Sequence, residues 1–485
     1  MDAREPEARE PRNKLILLCD GTWCGKEAGT ETNIHLLAKM VGIDVDSELS
    51  IRNTNPVKAR YADGVGLGST FLHNLFECAV AVQINEECEA AYQYIVENYT
   101  PQFEIWMFGL SRGAYIVRSV AGMINNCGII KPTLDRHGNI NRTITTMRCE
   151  RVYKIYRCRE EWAHPQSDDM KNFRIRNSHD VRTPVKFMGL FDTVGSLGIP
   201  ELIGGEGLVW RDGFHDQSVS GVVEKVYHAV SLHDRLSAFR PCLVNRSVRS
   251  RRDPKFEIHQ KWFPGTHYDL GRQTFKFFRA GTSLPRAAVT VPLNLLSGTV
   301  QPNTVLSDLV LKWMLESIQH EDPDGLVIPD INEEIQAVID RIRRGKDVGS
   351  GDVYGHLLQY IPFGYVVRGG YFMVGGFLPS VARKFGETVQ GLVGVKYIKD
   401  ILVGCKPRCI LRGTEDVYHY KDPDPSLGGL SIRDLAQLTG GRYPSTTYEE
   451  FVVNQLDTGL IRDGVEFEAR FQAEGLWTIF LKPQP

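Results

Sequence analysis

Three polar residues have the chemical types that nucleophilic catalysis needs: Ser111, Asp192 and His267. Each follows a short apolar run that ends in turn-forming residues, a pattern typical of buried parallel strands. Sites in open α/β sheets form outside the carboxyl ends of the strands, so we expect the three side chains to meet at one sheet edge. There, an acid could orient a base, and the base could activate a hydroxyl nucleophile.

Ser111 is the predicted nucleophile because it lies at the centre of a G-x-S-x-G pattern, Gly109-Leu110-Ser111-Arg112-Gly113. Residues 103–110 (FEIWMFGL) predict a strand before it, and a helix is predicted from Tyr115 onwards. Small neighbours permit the tight strand-to-helix turn that exposes a serine hydroxyl. The five-residue pattern alone also fits an ordinary tight turn. The flanking strand and helix favour the nucleophile.

His267 is the predicted general base, which would take the proton from the serine and return it to the leaving group. It lies in a loop rich in turn-forming residues, after the apolar run 256–263. A single histidine is often a structural or surface residue, and other histidines compete for this role, including His228 and His233.

Asp192 is the predicted acid, which would orient the histidine and stabilise its charged form. It ends the apolar run 185–191, where a buried carboxylate needs a partner. It could instead cap a helix or form a turn. Asp234 and Asp269 are the alternative acids, although Asp269 lies only two positions from His267.

The oxyanion that forms during ester hydrolysis requires backbone N–H donors. We expect one from Arg112, the residue after the nucleophile, and another from the loop at Gly21 and Thr22 that follows the first strand. Gly21 would let the backbone approach a ligand closely. The alternative is that this loop only ends a strand.

Strand patterns alternate with helical ones along residues 14–325, so the fold class predicted is α/β, with a mainly parallel sheet and helices on both faces. The order serine, aspartate, histidine makes it α/β-hydrolase-like. Residues of about 130–183 are interpreted as an insertion, and 1–13 as a disordered tail. Residues 326–485 are interpreted as a mostly helical C-terminal accessory or lid region.

Composition excludes several function classes. The net charge of −2 argues against nucleic-acid binding. The ten cysteines form no C-x-x-C pair, so we expect reduced thiols, no metal and no cofactor. The glycine-rich loop at 64–68 lacks the lysine ending of a phosphate-binding loop. No secretory signal and no clear membrane span are visible, which predicts a cytoplasmic protein.

Residues 355–405 are rich in glycine and apolar side chains, among them Phe372 and Phe377. Such a stretch could pack a second domain's own core. It could also form a lid, or a surface that contacts lipid at the membrane periphery.

Several segments together resemble one known family, DUF2235, whose bacterial members include the catalytic domain of type VI secretion phospholipase effectors. The resemblance rests on LLCDGTW at 17–23, GLSRGA at 109–114, GLFDTVGSLGIP at 189–200, HAVSLHDRLSAFRP at 228–241, WFPGTHYDLG at 262–271 and LSDLVLKWM at 306–314. It implies an α/β-hydrolase fold, a serine–aspartate–histidine triad and esterase or phospholipase chemistry. By motif, the resemblance implies Ser111 as the nucleophile and His267 as the base. Asp192 and Asp234 both lie in family segments, so either could be the acid.

The histidine segment departs from the usual family sequence, HSDVGGGY. In this chain Tyr268 and Arg272 replace smaller residues beside the predicted base. These two substitutions leave the predicted catalytic residues unchanged. They affect which substrate shape the site would accept.

The function predicted from the sequence is a lipase- or phospholipase-like serine ester hydrolase that forms a covalent acyl-enzyme on an acyl ester or lipid substrate. The alternative is a catalytically silent protein that uses the same fold to bind a partner or a lipid surface.

Overall fold

The computed structural model describes most of the first 344 residues and a few beyond them. The described residues are 12–21, 31–47, 49–64, 78–182, 184–194, 218–219, 221–232, 241–246, 256–263, 265–276, 299–300, 302–344, 416, 423–431 and 434.

A seven-stranded sheet forms the centre of the molecule, in the order β2-β3-β1-β4-β5-β7-β9. All neighbours pair in parallel except β2 and β3, which are antiparallel. Two short pairs, β6 with β8 and β10 with β11, lie outside it. The strands are β1 (Asn13–Cys19), β2 (Ile51–Thr54), β3 (Val57–Ala62), β4 (Phe103–Leu110), β5 (Val185–Phe191), β6 (Ser218–Val219), β7 (Val223–Ser231), β8 (Asn245–Arg246), β9 (Glu257–Phe263), β10 (Phe275–Lys276) and β11 (Thr299–Val300).

The helices lie on both faces of this sheet. They are α1 (Asn33–Met40), α2 (Cys78–Asn98), α3 (Arg112–Cys127), α4 (Arg142–Arg157), α5 (Asp168–Asn177), α6 (His267–Gly271), α7 (Thr304–Glu321) and α8 (Ile331–Arg344), with 3₁₀ turns at Glu161–Ala163 and Pro425–Leu427. Alternate residues of β1 point to opposite faces. Leu15 and Leu17 join the core under α2, α3 and α4, and Ile16 and Leu18 join the core under α1, α7 and α8. The central strands β1, β4 and β5 are mostly apolar because both faces are covered.

The fold is therefore α/β, as the sequence predicts. The four predicted strands correspond to β1, β4, β5 and β9. The predicted helices appear as α1, α2, α3, α7 and α8. The region interpreted as an insertion contains α4 and α5. Its residues Cys149 and Val152 are buried in the core that also contains Leu15 and Leu17.

Sequence analysis missed three strands of the sheet. In β3, next to the edge strand β2, buried and partly exposed residues alternate. Val57, Ala59 and Tyr61 join one core, and the residues between them are half-buried, so no continuous apolar run marks the strand. In β7, the two residues after Val223 are charged, which hides the buried run that follows them. Several predicted regions lie outside the described residues: most of the tail at 1–13, most of the glycine-rich loop at 64–68, the apolar stretch at 355–405 and most of the C-terminal region. They stay predictions.

Candidate active site

Ser111 lies on a strained turn between β4 and α3, with φ of 56° and ψ of −118°. A non-glycine residue rarely adopts a positive φ, and such strain persists only where the surroundings hold it. Three backbone bonds do so here. The Ser111 N–H donates to the carbonyl of Phe191 at 2.9 Å, and its carbonyl accepts from Tyr115 N at 3.2 Å and from Val194 N at 3.4 Å. The turn thus fixes where the hydroxyl can lie.

Two glycines make this turn possible by close backbone approach. A Cβ on Gly113 would lie 2.1 Å from the carbonyl oxygen of Cys19, the last residue of β1. A Cβ on Gly109 would lie 2.5 Å from the carbonyl oxygen of Gly113. No side chain fits at either position, so the spacing of the G-x-S-x-G pattern follows from how tightly α3 packs on the strands.

The three residues singled out from the sequence meet at the carboxyl edge of the sheet. His267 Nε2 lies 2.9 Å from Ser111 Oγ, and His267 Nδ1 lies 2.6 Å from Asp192 Oδ2. All three side chains are buried. Because an ionised carboxylate only accepts, the hydrogen belongs on Nδ1, and Nε2 is left to accept the serine proton. This is the arrangement that a hydroxyl nucleophile requires.

A family comparison adds to this geometry. The model of the family described as "T6SS, Phospholipase effector Tle1-like, catalytic domain" matches residues 13–317, more than half of the chain. The chain belongs to this family. The resemblance to DUF2235 is thereby confirmed, and the matched family is one of phospholipase effector catalytic domains.

The individual proteins similar to this chain have low sequence identity to it. The uncharacterized protein YEL023C of Saccharomyces cerevisiae is 29% identical over 250 residues, which are 48% of this chain and 33% of the yeast protein. Two solved structures align at low TM-scores. The Tle1 effector bound to the VgrG spike of the type VI secretion system has a TM-score of 0.29 and 16% identity, over 70% of this chain and 80% of its own. An uncharacterized protein from Pseudomonas aeruginosa has a TM-score of 0.30 and 14% identity, over 91% and 66%.

Asp192 of the Tle1-like domain is held as firmly as the serine. Its φ is 42°, again in the left-handed region. Its carboxylate accepts the Ser231 N–H at 2.9 Å and the Ser231 hydroxyl at 3.2 Å, both from the end of β7. These bonds satisfy the buried charge and aim the remaining lone pairs at the imidazole.

Asp269, one of the alternative acids, has another structural position. Its Oδ2 accepts from the Thr266 N–H at 2.8 Å and the Thr266 hydroxyl at 2.9 Å, and its Oδ1 accepts from the Asn303 N–H at 2.7 Å. These bonds cap α6, the helix that begins at His267, and tie it to α7. Asp234, the other alternative, lies outside the described residues, as does the competing His233.

Two of the three predicted oxyanion donors, Arg112 and Gly21, lie among the described residues. Arg112 is the first residue of α3, at the amino end of the helix and directly after Ser111. The Gly21 N–H donates to the carboxylate of its neighbour Asp20 at 2.7 Å. Thr22 lies outside the described residues. The assignment of Arg112, Gly21 and Thr22 as donors stays a prediction.

Asp20 is a buried acid beside this site that sequence analysis missed. Besides the Gly21 N–H, it accepts hydroxyl hydrogen bonds from Thr32 at 2.6 Å and Tyr61 at 2.7 Å. Burial raises the pKa of the Asp20 carboxyl to about 6, although the three hydrogen bonds act in the opposite direction. The donors come from α1 and β3, so only the folded chain brings them together.

Within the part of the chain that the structure describes, every helix is too short or too polar to cross a membrane.

Proposed function

We propose that this chain is a serine ester hydrolase in which Ser111 is the nucleophile, His267 the general base and Asp192 the acid that orients it. One observation carries the proposal: a continuous chain of buried hydrogen bonds runs from the serine hydroxyl through the imidazole to the carboxylate. A buried hydroxyl on a strained turn, bonded to a base, is the arrangement of an activated nucleophile.

The first half-reaction forms an acyl-enzyme. Ser111 Oγ attacks the ester carbonyl carbon as its proton passes to His267 Nε2, and the carbonyl oxygen becomes an oxyanion. Asp192 stabilises the imidazolium that results. When the oxyanion collapses, the bond to the alcohol breaks, and the imidazolium gives its proton to the leaving oxygen.

The second half-reaction repeats these transfers with water. His267 takes a proton from a water molecule, which attacks the acyl carbon. The second oxyanion then expels Ser111 Oγ, which recovers its proton from the imidazolium. The carboxylic acid leaves and the site returns to its first state.

The oxyanion forms beside the start of α3. The helix N-terminus contributes partial positive charge and the Arg112 N–H. For the second donor, Gly21 would have to exchange its bond to Asp20 for one to the substrate, or Thr22 would have to supply the N–H.

Membership of the phospholipase effector family favours a lipid as the ester. A membrane surface is the expected location of such a substrate, and contact through residues 355–405 stays a prediction. The alternative, a catalytically silent binding protein, is disfavoured because a protein without chemistry has no need of a strained serine bonded to a buried histidine.

The test is hydrolysis of phospholipid vesicles and of a short p-nitrophenyl ester by the wild type, Ser111→Ala and a matched control, Ser119→Ala. Ser119 is a buried serine of the same helix. We expect Ser111→Ala to lose about 10³-fold or more of the activity on both substrates with its melting temperature retained, and Ser119→Ala to stay active. Wild-type turnover by Ser111→Ala would exclude this nucleophile. A wild type inactive on both substrates would favour the silent alternative.

A further inference from the structure

His228 is a fully buried side chain of β7 that lies directly against the turn carrying Asp192. Its Nε2 lies 3.2 Å from the backbone nitrogen of Thr193, the residue after Asp192. The competing histidine of the sequence is thus in contact with the turn of the predicted acid, one strand away from β5.

The bonds of His228 define its tautomer. A backbone N–H can only donate, so Nε2 must accept and carries no hydrogen. The ring hydrogen is then on Nδ1, which donates to Gln260 Oε1 at 2.9 Å. That same oxygen accepts the Val244 N–H at 2.8 Å, which fixes the orientation of the Gln260 amide. A doubly protonated ring would place a donor against the Thr193 N–H.

The register of the sheet builds this pair. His228 and Gln260 are direct partners between the parallel strands β7 and β9. Gln260 precedes the loop to His267, while His228 lies beside the turn of Asp192. The hydrogen bond between His228 and Gln260 therefore connects β9, which leads to the base, with β7, which contacts the turn of the acid.

The Asp192 turn needs such support because its backbone is strained. A non-glycine residue with a positive φ is strained and persists only where its neighbours hold it. The Asp192 N–H donates to Ala229 O at 2.7 Å, and the Thr193 carbonyl accepts from Cys242 N at 2.8 Å. Both are backbone-to-backbone hydrogen bonds. The bond from the Thr193 N–H to His228 Nε2 adds a side-chain contact to the same turn.

We propose that His228, oriented by Gln260, is a positioning residue that holds Asp192 in the geometry that orients His267. This rests on the proposed function of the triad. His228 acts through the turn of Asp192, which it contacts at the Thr193 N–H.

The variants His228→Phe and His228→Gln separate positioning from packing. Phenylalanine fills the space but offers no acceptor, whereas glutamine can place its amide oxygen near the position of Nε2. We expect His228→Phe to lower kcat by about 10- to 100-fold with KM unchanged, the range for groups that orient a catalytic ligand, and His228→Gln to recover most of the loss. Rates are taken per active site titrated with a fluorophosphonate. Gln260→Leu should act in the same direction, and its effect should not add to that of His228→Phe.

A second measurement needs no substrate. The hydrogen between His267 Nδ1 and Asp192 should give a far-downfield proton resonance that Asp192→Asn removes. His228→Phe should shift or broaden it, and His228→Gln should restore it. If the wild type hydrolyses no ester but the resonance responds in this way, the proposed function fails and the positioning role stands.

Wild-type kcat and an unchanged resonance in His228→Phe would overturn the positioning role while leaving the triad intact. Equal kcat losses in His228→Phe and His228→Gln, with lowered melting temperatures and an unchanged resonance, would overturn it too, since they would show that His228 only packs the core.

Discussion

The two edges of the central sheet both bury charge, but they do so in opposite ways. At the amino edge, Lys14 at the start of β1 lies 3.0 Å from Glu104 and 3.1 Å from Asp322 at the end of α7. At the carboxyl edge, Ser111 and Asp192 lie on turns with positive φ, and a hydrogen-bonded chain ends in a hydroxyl. At the amino edge, the buried charges neutralise one another. At the carboxyl edge, the buried acid and base are hydrogen-bonded to a hydroxyl that could react.

The pKa of the two buried groups reflects this difference. Burial lowers the pKa of Lys14, but the carboxylates of Asp322 and Glu104 outweigh burial and raise it, so the charged form is favoured. Burial instead dominates at Asp20 and raises its pKa to about 6, so its charged form is disfavoured. One sheet thus separates charges that stabilise the fold from charges that the site holds at a cost in stability.

The largest expected effect is at the carboxyl edge, from Asp192→Asn. An amide that donates toward His267 Nδ1 selects the wrong tautomer, so Nε2 would carry a hydrogen and could not accept one from Ser111. We expect kcat to fall by about 10⁴-fold with little change in melting temperature. Steady-state kinetics and thermal unfolding measure the two quantities. A loss of less than tenfold would remove Asp192 from the acid role and return it to Asp234.

At the amino edge, Lys14→Met should lower the free energy of unfolding and leave the catalytic rate unchanged. It keeps the apolar stem but leaves the buried carboxylate of Asp322 without its cation, at a cost of about 3–5 kcal/mol in the free energy of unfolding. Chemical denaturation measures this loss. The matched control is Lys186→Met, because Lys186 and Glu224 form a more exposed pair at the start of β5 and should contribute about 1 kcal/mol or less.

For Lys14→Met, the rate per titrated active site should stay at the wild-type value. A large fall in that rate would contradict the separation of the two edges.

A smaller effect is expected for the pH dependence at Asp20. Its folded pKa of about 6 lies above the ordinary value of 3.8, so the folded state binds the proton more tightly than the unfolded state. Its favourable contribution is full below the ordinary pKa and is lost as the pH rises through about 6.

The comparison is between the wild type and Asp20→Asn, which does not titrate. The difference in free energy of unfolding, wild type minus variant, should fall by about 2 kcal/mol from pH 4.5 to 7.5. Denaturant titrations at several pH values measure it. A difference that rises over this range would mean that the hydrogen bonds from Thr32 and Tyr61 outweigh burial.

The site could be predicted from the sequence as far as its signals were local. Gly109, Ser111 and Gly113 carry the signature of the turn within five positions. The strand before Asp192 and the loop at His267 are also visible as short patterns. Their positions after parallel strands predict that the three residues meet at one sheet edge, although no local signal determines the distances between them.

The supporting contacts could not be predicted because they depend on register between distant strands. His228 meets Gln260 only because β7 and β9 pair in that register, and β7 itself was missed. Asp20 is recognised as a buried acid only when Thr32 and Tyr61 are placed around it. The sequence also leaves Asp269 as an alternative acid, because only the folded structure shows that its carboxylate caps α6.

The central claim, that Ser111 is an activated nucleophile, is tested most directly by mass-spectrometric mapping of the adduct formed with a fluorophosphonate. We predict one adduct on the peptide containing Ser111, at a rate that falls sharply in His267→Ala, and none in Ser111→Ala. The absence of an adduct on the folded wild type, or an adduct on another residue that persists in Ser111→Ala, would contradict the claim.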